Sequence, residues 1–190
     1  MIKNSAVFLD RDDTIVKSYG TRPANSVDEI ELLPLAAEGI AMMQELGYLI
    51  VVVSNQGGIG LGYITNEVMR AMNARLDDLL IQAGVRPIDA YYWCPHAPAV
   101  KCECRKPRPG MILSAAQDLY IDLPESHLVG DDVRDLQAAS KAGILSVFHV
   151  RSTRSLPSDF RKPPASVDNL LGAAKYIRIR RAISEIFGRG

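Results

Sequence analysis

Val7-Phe8-Leu9-Asp10-Arg11-Asp12-Asp13-Thr14 carries an apolar run straight into three carboxylates. A short apolar run bounded by charge reads as a buried strand, central and parallel in its sheet. The carboxylates then stand at its carboxyl end, where open α/β sheets place their ligands. The chain leaves the strand here, with Asp10 and Asp12 both on the loop. Clustered carboxylates repel one another unless they share a cation or a proton. The functional reading is therefore a Mg2+ site in which one aspartate is also a nucleophile. An acidic loop after a strand has the same local look, and the remaining chain has to choose between the two.

Ile15 to Leu33 contains Gly20, Pro23, Asn25 and Ser26, shows no sustained period, and reads as a loop or small flap beside the carboxylates. Leu35 to Leu46 has helical spacing (Leu35, Ile40, Met43, Leu46), with Gly47 as its stop. Tyr48 to Val53 is a second buried strand, ending in Ser54-Asn55-Gln56. Gly57-Gly58-Ile59-Gly60-Leu61-Gly62 matches neither the dinucleotide fingerprint nor the P-loop. A hydroxyl and an amide at a strand end, with glycines that let backbone N–H groups approach, suit a phosphate oxygen; a flexible connector is the plainer alternative. Thr65 caps a helix to Ala83, with Val68, Met72, Leu76, Leu79 and Leu80 on its apolar face. Ile88 to Trp93 is a short strand and Met111 to Leu119 a helix. His127-Leu128-Val129 leads into Gly130-Asp131-Asp132, another strand that ends in acid. Val133 to Ala142 is a helix stopped at Gly143, and Ile144 to Val150 a further strand.

Strands alternating with helices at this spacing predict an α/β fold, a Rossmann-like doubly wound parallel sheet covered on both faces. Residues 1–190 fit one domain. Arg151 to Pro164 reads as a surface loop. A last helix is expected over about 167–187, with Ile179, Ala182, Ile183, Ile186 and Phe187 forming an amphipathic stripe that docks on its own domain or on a second copy.

The 22 basic and 22 acidic residues cancel, which argues against a general nucleic-acid or membrane binder. Met1-Ile2-Lys3-Asn4 leads into the first strand with no secretory segment, and the run Tyr48 to Val53 is too short to span a bilayer. The expectation is a cytoplasmic protein, monomeric or weakly homo-oligomeric, that acts on a small phosphorylated metabolite.

All three cysteines fall between positions 94 and 104. An odd number packed this closely makes a poor disulfide framework and a good metal site. Cys94-Pro95-His96 and Cys102-Glu103-Cys104 are two close ligand pairs, enough for a closed tetrahedral zinc that staples the loop 94–104. Three free cysteines beside a chance histidine is the alternative. The staple would hold the next residues, Arg105-Lys106-Pro107, in a fixed place, and Lys106 could then pair with carboxylates and with a phosphate.

Three strand ends thus offer Asp10/Asp12, Ser54/Asn55 and Asp131/Asp132, and a stapled loop adds Lys106. Carboxylates for Mg2+, donors for phosphate oxygens, a cation and an available acid suffice for phosphoryl transfer through an aspartyl-phosphate. Asp10-x-Asp12-x-Thr14, Ser54-Asn55, Lys106 and Gly130-Asp131-x-x-x-Asp135 resemble, in order, the four motifs of the haloacid dehalogenase superfamily of phosphatases. The zinc loop followed by Arg105-Lys106-Pro107-x-Pro109-Gly110-Met111 is similar to the D,D-heptose 1,7-bisphosphate phosphatases, relatives of the histidinol-phosphate phosphatases. The resemblance runs from about Val7 to Val150.

It implies a sheet of the haloacid dehalogenase type and a hydrolase of carbohydrate metabolism, in heptose biosynthesis for the lipopolysaccharide core. By the same resemblance Asp10 attacks phosphorus and Asp12 is the acid and base. Mg2+ lies on Asp10, Asp131 and the main-chain carbonyl of Asp12, with Asp135 behind. Thr14, Ser54, Asn55, Gln56, Arg105 and Lys106 are the phosphate- or substrate-binding candidates. Two positions depart from the family pattern. Asp13 stands where glycine is usual; Asp tolerates positive φ and is expected to point away from the metal. Leu61 replaces a common arginine. Histidinol phosphate is the alternative substrate, and a zinc-stabilised binding module without catalysis is the alternative of a different class. Arg105, Arg108, Lys17 and Arg22 are the cations expected to favour a second phosphate, whereas Asp13 and Glu103 would favour an amine.

Overall fold

A computed structural model of the chain describes residues 3–20, 22–150 and 165–187. Its centre is β1 (Ala6–Leu9), four residues that are all buried. β1 pairs in parallel with β2 (Leu49–Asn55) on one side and with β4 (His127–Gly130) on the other, so that Phe8 stands opposite both Val51 and Leu128. β3 (Ala90–Cys94), β5 (Ser146–Val150) and β6 (Ala165–Val167) complete a parallel sheet of order β3-β2-β1-β4-β5-β6.

The twofold alternation of strand side chains divides the core into two layers. Val7 and Leu9 of β1, with Ile50 and Val52 of β2, join one cluster. Its helical members come from α1 (Ala36–Glu45), α3 (Asn66–Gln82) and α6 (Leu170–Phe187). Ala6 and Phe8, with Val51 and Val53, join the other, covered by α4 (Gly110–Asp118) and α5 (Val133–Ala142). A strand buried on both faces explains the unbroken apolar runs in the sequence. Each Val, Leu, Ile or Phe so buried contributes about 1.5–3 kcal/mol of transfer free energy. α1 and α6 approach closely at Gly39, where an added Cβ would lie 2.6 Å from the Leu170 carbonyl carbon.

Helix ends follow local chemistry. Thr65 Oγ1 accepts from the Val68 amide at 3.3 Å and opens α3. Gly47, just past α1, and Gly143, just past α5, take the left-handed φ values of 81° and 90° at which the sequence predicts stops. The 15–33 flap contains one short 3-10 turn, Val27–Glu29, and isolated bridges between Val16 and Leu32 and between Tyr19 and Arg22.

Three expectations change. The helix expected from about residue 167 begins at Leu170, because Ala165–Val167 pairs with β5 and the Asn169 side chain accepts the Gly172 amide at 3.0 Å. Gly57–Gly60, where the sequence offers either glycines beside a phosphate oxygen or a connector, is a short helix, α2. The apolar stripe of α6 docks on the domain only in its first half: Leu170, Ala173, Ala174 and Ile177 are buried, while Ile179, Ile183, Ile186 and Phe187 are exposed. The loop read at Arg151 to Pro164 lies outside the described residues. Among the described residues no helix is long and apolar enough to cross a membrane.

Candidate active site

Parallel strands point their carboxyl ends the same way, so the acid-ended and hydroxyl-ended strands deliver their polar residues to one pole of the sheet. Asp10 follows β1, Ser54 and Asn55 end β2, and Asp131 follows β4. Carboxylate oxygens of Asp10, Asp131 and Asp135 lie within 4.8 Å of one another, and all three residues are buried. Hard oxygen donors at this spacing fit Mg2+. The Gly130 backbone passes close to Asp135: an added Cβ would meet its Oδ2 at 2.6 Å.

Lys106 reaches the same cluster from the loop after the cysteines. Its Nζ lies 2.6 Å from Asp10 Oδ1, 2.6 Å from Asp135 Oδ1 and 2.7 Å from the Val53 carbonyl, so all three ammonium protons have acceptors. Burial pushes the Asp10 carboxyl well above its usual range, against the pull of Lys106, and Asp135, Asp131 and Asp12 add to the rise. Burial also works against the charge on Lys106, but Asp10 and Asp135 outweigh it and the amine is held above its ordinary value. Asp135 has both oxygens in use, since Oδ2 accepts from the Asp132 amide at 3.0 Å and closes a capping box on α5. That favours Asp135 as a support and leaves Asp10 and Asp131 as the better metal donors.

Asp12 is held from the side. The guanidinium of Arg11, 1% exposed, donates to Asp12 Oδ1 through Nε at 3.1 Å and Nη2 at 2.8 Å. Gln56 Nε2 donates to Asp12 Oδ2 at 2.7 Å and to Ser54 Oγ at 2.7 Å. Asp13 adopts φ 61° and its Oδ1 accepts the Ser18 amide at 3.3 Å, so the residue in the usual glycine position turns its carboxylate into the flap.

Arg11 went unnoticed in the sequence, where a charged residue between two aspartates reads as exposed. Its burial is legible only from the apolar neighbours it meets, Met69 Sδ among them at 3.2 Å.

Asn55, expected as a phosphate donor, lines the cavity described below and has a second task. Its Nδ2 donates to the Lys106 carbonyl at 3.0 Å, and its Oδ1 accepts the Lys106 amide at 2.9 Å. The side chain fastens the Lys106 backbone to the end of β2. Gln56 and Thr14, 2% exposed each, are buried and do not line the cavity described below. Gln56 instead orients Asp12 and Ser54.

The four donors form a ring: Cys94 Sγ lies 3.5 Å from His96 Nδ1, His96 Nδ1 3.2 Å from Cys104 Sγ, Cys104 Sγ 3.6 Å from Cys102 Sγ, and Cys102 Sγ 3.6 Å from Cys94 Sγ. A tetrahedral zinc with Zn–S of about 2.3 Å separates its sulfur ligands by about 3.8 Å, and the four donors fit that ion. The glycines at 57 and 60 belong to this loop's packing. A Cβ on Gly57 would sit 3.3 Å from the His96 carbonyl oxygen, and one on Gly60 would lie 2.8 Å from the Pro95 carbonyl oxygen. The glycine run in the sequence therefore marks a backbone-to-backbone seat for the cysteine loop.

The pole opens into a cavity of about 630 Å³. Asp10, Asp12, Ser54 and Lys106 are in its wall, with Leu61 and Tyr63 on one side. Three guanidinium groups also line it, those of Arg22, Arg105 and Arg134. Arg22 forks Glu29 at 2.8 and 2.6 Å, and Arg134 forks Asp132 through Nε at 2.9 Å and Nη2 at 2.7 Å. Arg134 joins Arg22 and Arg105 in place of two expected cations. Lys17 lies on Glu31 at 2.9 Å and Arg108 donates to the Cys102 carbonyl, and neither lines the cavity. Asp13 and Glu103 do not line it either.

A family model described as HAD-hydrolase-like matches residues 103–173. A D-glycero-beta-D-manno-heptose-1,7-bisphosphate 7-phosphatase of Haemophilus ducreyi is 34% identical over 172 residues, covering 87% of this chain and 93% of the relative. One of the same name from Yersinia pestis is 35% identical over 161 residues, covering 81% and 84%. In structure, the D,D-heptose 1,7-bisphosphate phosphatase of B. bronchiseptica, crystallised with magnesium and phosphate, superposes with a TM-score of 0.81 at 29% identity, over 93% of this chain and 99% of its own.

Proposed function

The chain belongs to the HAD-like family of phosphatases, and from that premise we propose that it removes the C7 phosphate of D-glycero-D-manno-heptose 1,7-bisphosphate through an aspartyl-phosphate. The observation that carries the chemistry is the buried group of Asp10, Asp131 and Asp135 closed by Lys106 at 2.6 Å from Asp10.

In this reading Asp10 attacks phosphorus and the bond from phosphorus to the sugar oxygen breaks. Asp12, oriented by Arg11 and Gln56, gives its proton to the departing alkoxide. It then takes a proton from the water that attacks the acyl-phosphate, which frees orthophosphate and restores Asp10. Lys106 offsets the charge of the transferring phosphoryl group, and Asn55 keeps Lys106 in place. Ser54 faces the phosphate, while Gln56 acts from beneath by orienting Asp12 and Ser54. Asp10, Asp131 and the main-chain carbonyl of Asp12 would hold Mg2+, which when bound would supply positive charge to neutralise the phosphate and favour the ionised form of the buried Asp10. Zinc on Cys94, His96, Cys102 and Cys104 is structural and seats the loop that ends in Lys106.

The wall of the cavity supports a bisphosphate. Arg22, Arg105 and Arg134 are there to hold a second phosphate. The carboxylates that would greet the amine of histidinol phosphate lie elsewhere: Asp13 turns to the Ser18 amide, and Glu103 stands 89% exposed beside Arg108. Release of phosphate from a panel of phosphomonoesters, with and without Mg2+, tests the reading. Activity spread evenly across unrelated esters, or activity indifferent to Mg2+, would overturn it.

A further inference from the structure

At the amino ends of the strands lies a second cavity of about 620 Å³. Ser5 precedes β1, and His127 and Ser146 open β4 and β5; all three line it. Four- and five-residue parallel strands separate it from the catalytic pole by about 15 Å. Lys3, Arg180 and Arg181 bring three positive charges, against the carboxylates of Glu125 and Glu185.

The cations are presented rather than scattered. Arg180 Nη1 donates to Ser146 Oγ at 3.0 Å, which aims the guanidinium across the mouth of β5. Arg181 lies over the Tyr48 ring at 6.0 Å and donates through Nε to Glu185 at 3.0 Å. His127 closes the floor. His127 is only 7% exposed; its Nε2 faces the Tyr48 hydroxyl at 3.2 Å, and its Nδ1 has no hydrogen-bond partner among the described residues.

We propose that this second cavity is a binding site for a small phosphate-bearing anion, held by Arg180, Arg181 and Lys3. A phosphate suits the cavity better than a carboxylate does, because its several oxygens can meet Lys3, Arg180 and Arg181 at once. The volume falls within the range of small-molecule pockets, large enough for a phosphorylated monosaccharide as well as for orthophosphate. Glu125 and Glu185 would accept hydrogen bonds from sugar hydroxyls. The site is separate from the catalytic cluster and shares no residue with it.

The test is an amide NMR titration of the zinc-loaded chain with orthophosphate and, in a second arm, with a hexose 6-phosphate. Amides of Gly47, Leu145 and Ser146 are expected to shift and saturate, with a midpoint independent of that read at Asp12 and Ser54. The double substitution Arg180→Gln, Arg181→Gln should weaken this response at least about tenfold, the loss of one or two charge-assisted contacts, and leave the response at Asp12 and Ser54 and the kcat unchanged. Both arginines also pack on the sheet end, so Lys3→Gln at the exposed rim serves as a second variant, expected to weaken the response severalfold with the same fold. Saturation by orthophosphate alone assigns the site to the free ion, and tighter saturation by the ester assigns it to phosphorylated sugars. No saturable shift at this pole, or an equal one from sodium chloride at matched ionic strength or in both variants, overturns the proposal.

Discussion

Asn55 and Lys106 exchange two hydrogen bonds across the end of β2, the amide of one side chain matching the backbone N–H and C=O of the other residue at 2.9 and 3.0 Å. Asn55→Ala removes both and releases the backbone that aims the Lys106 ammonium at Asp10. A displacement of about 1 Å at a reacting centre costs on the order of 100-fold, so kcat should fall about 10- to 100-fold. Thermal stability should fall far less than it does when the zinc ligands are changed. Steady-state kinetics beside a melting curve separates the two, and an unchanged kcat rejects the positioning role.

Asp10→Asn keeps the size of the side chain and loses the oxygen nucleophile. Turnover should drop by at least about 10⁴-fold while circular dichroism and zinc content stay as in the parent. A variant that retains more than a few per cent of the activity under saturating Mg2+ would mean that another group attacks phosphorus.

Protein purified without added zinc should contain one zinc per chain by elemental analysis. Cys102→Ser with Cys104→Ser should lower the melting temperature by at least about 10 °C and depress activity through Lys106. Metal-free protein that is folded and fully active would remove the staple from the account.

The ratio of kcat/KM for heptose 1,7-bisphosphate over histidinol phosphate should be at least about 100, since each charged contact in a sheltered pocket is worth a few kcal/mol. Both substrates are assayed side by side. A preference for histidinol phosphate would reverse the assignment of substrate and leave Asp10 chemistry standing. Arg134→Gln should raise KM for the bisphosphate more than it lowers kcat.

His127 is buried and lies near Arg180, and both effects, burial first, bring its imidazole down to about 4. The unfolded chain, with an ordinary value of about 6.5, binds a proton that the folded chain refuses between these limits. Stability from this residue is therefore whole above about pH 6.5 and is lost as the pH falls toward 4, by about 3 kcal/mol in all. Urea unfolding at pH 7 and pH 4 should show the wild type losing about that much more than His127→Gln; equal losses would place the proton elsewhere.

The strand ends were legible because their chemistry is local. An apolar run closed by Asp10, by Ser54-Asn55 or by Asp131 announces both a buried strand and where the chain turns out of it. Helix stops at Gly47 and Gly143 and the cap at Thr65 were legible for the same reason. What each side chain faces was not. The Asn55 amide looks the same in sequence whether it meets a phosphate or the backbone of a residue 51 positions away. Arg11 reads as exposed because burial of a guanidinium depends on Met69 and Asp12 arriving together. Arg134 was legible beside Asp135 but not as a cation of the cavity wall, because nothing local sets where its side chain points. β6 was missed because three residues carry too little periodicity to compete with the helix that follows.

The order β2-β1-β4 has a consequence for how the protein comes into being. β1 spans Ala6–Leu9, whereas the strand that fills its second edge, His127–Gly130, follows more than a hundred positions later. Until β4 has left the ribosome and paired, one side of a wholly apolar strand stands open, and Asp10 lacks the neighbouring carboxylate of Asp131. The nascent chain is thus catalytically silent and prone to edge-to-edge association over the same interval. Both conditions end with a single pairing event, Phe8 against Leu128. Slow decoding or truncation upstream of His127 should yield aggregate rather than a partly active fragment.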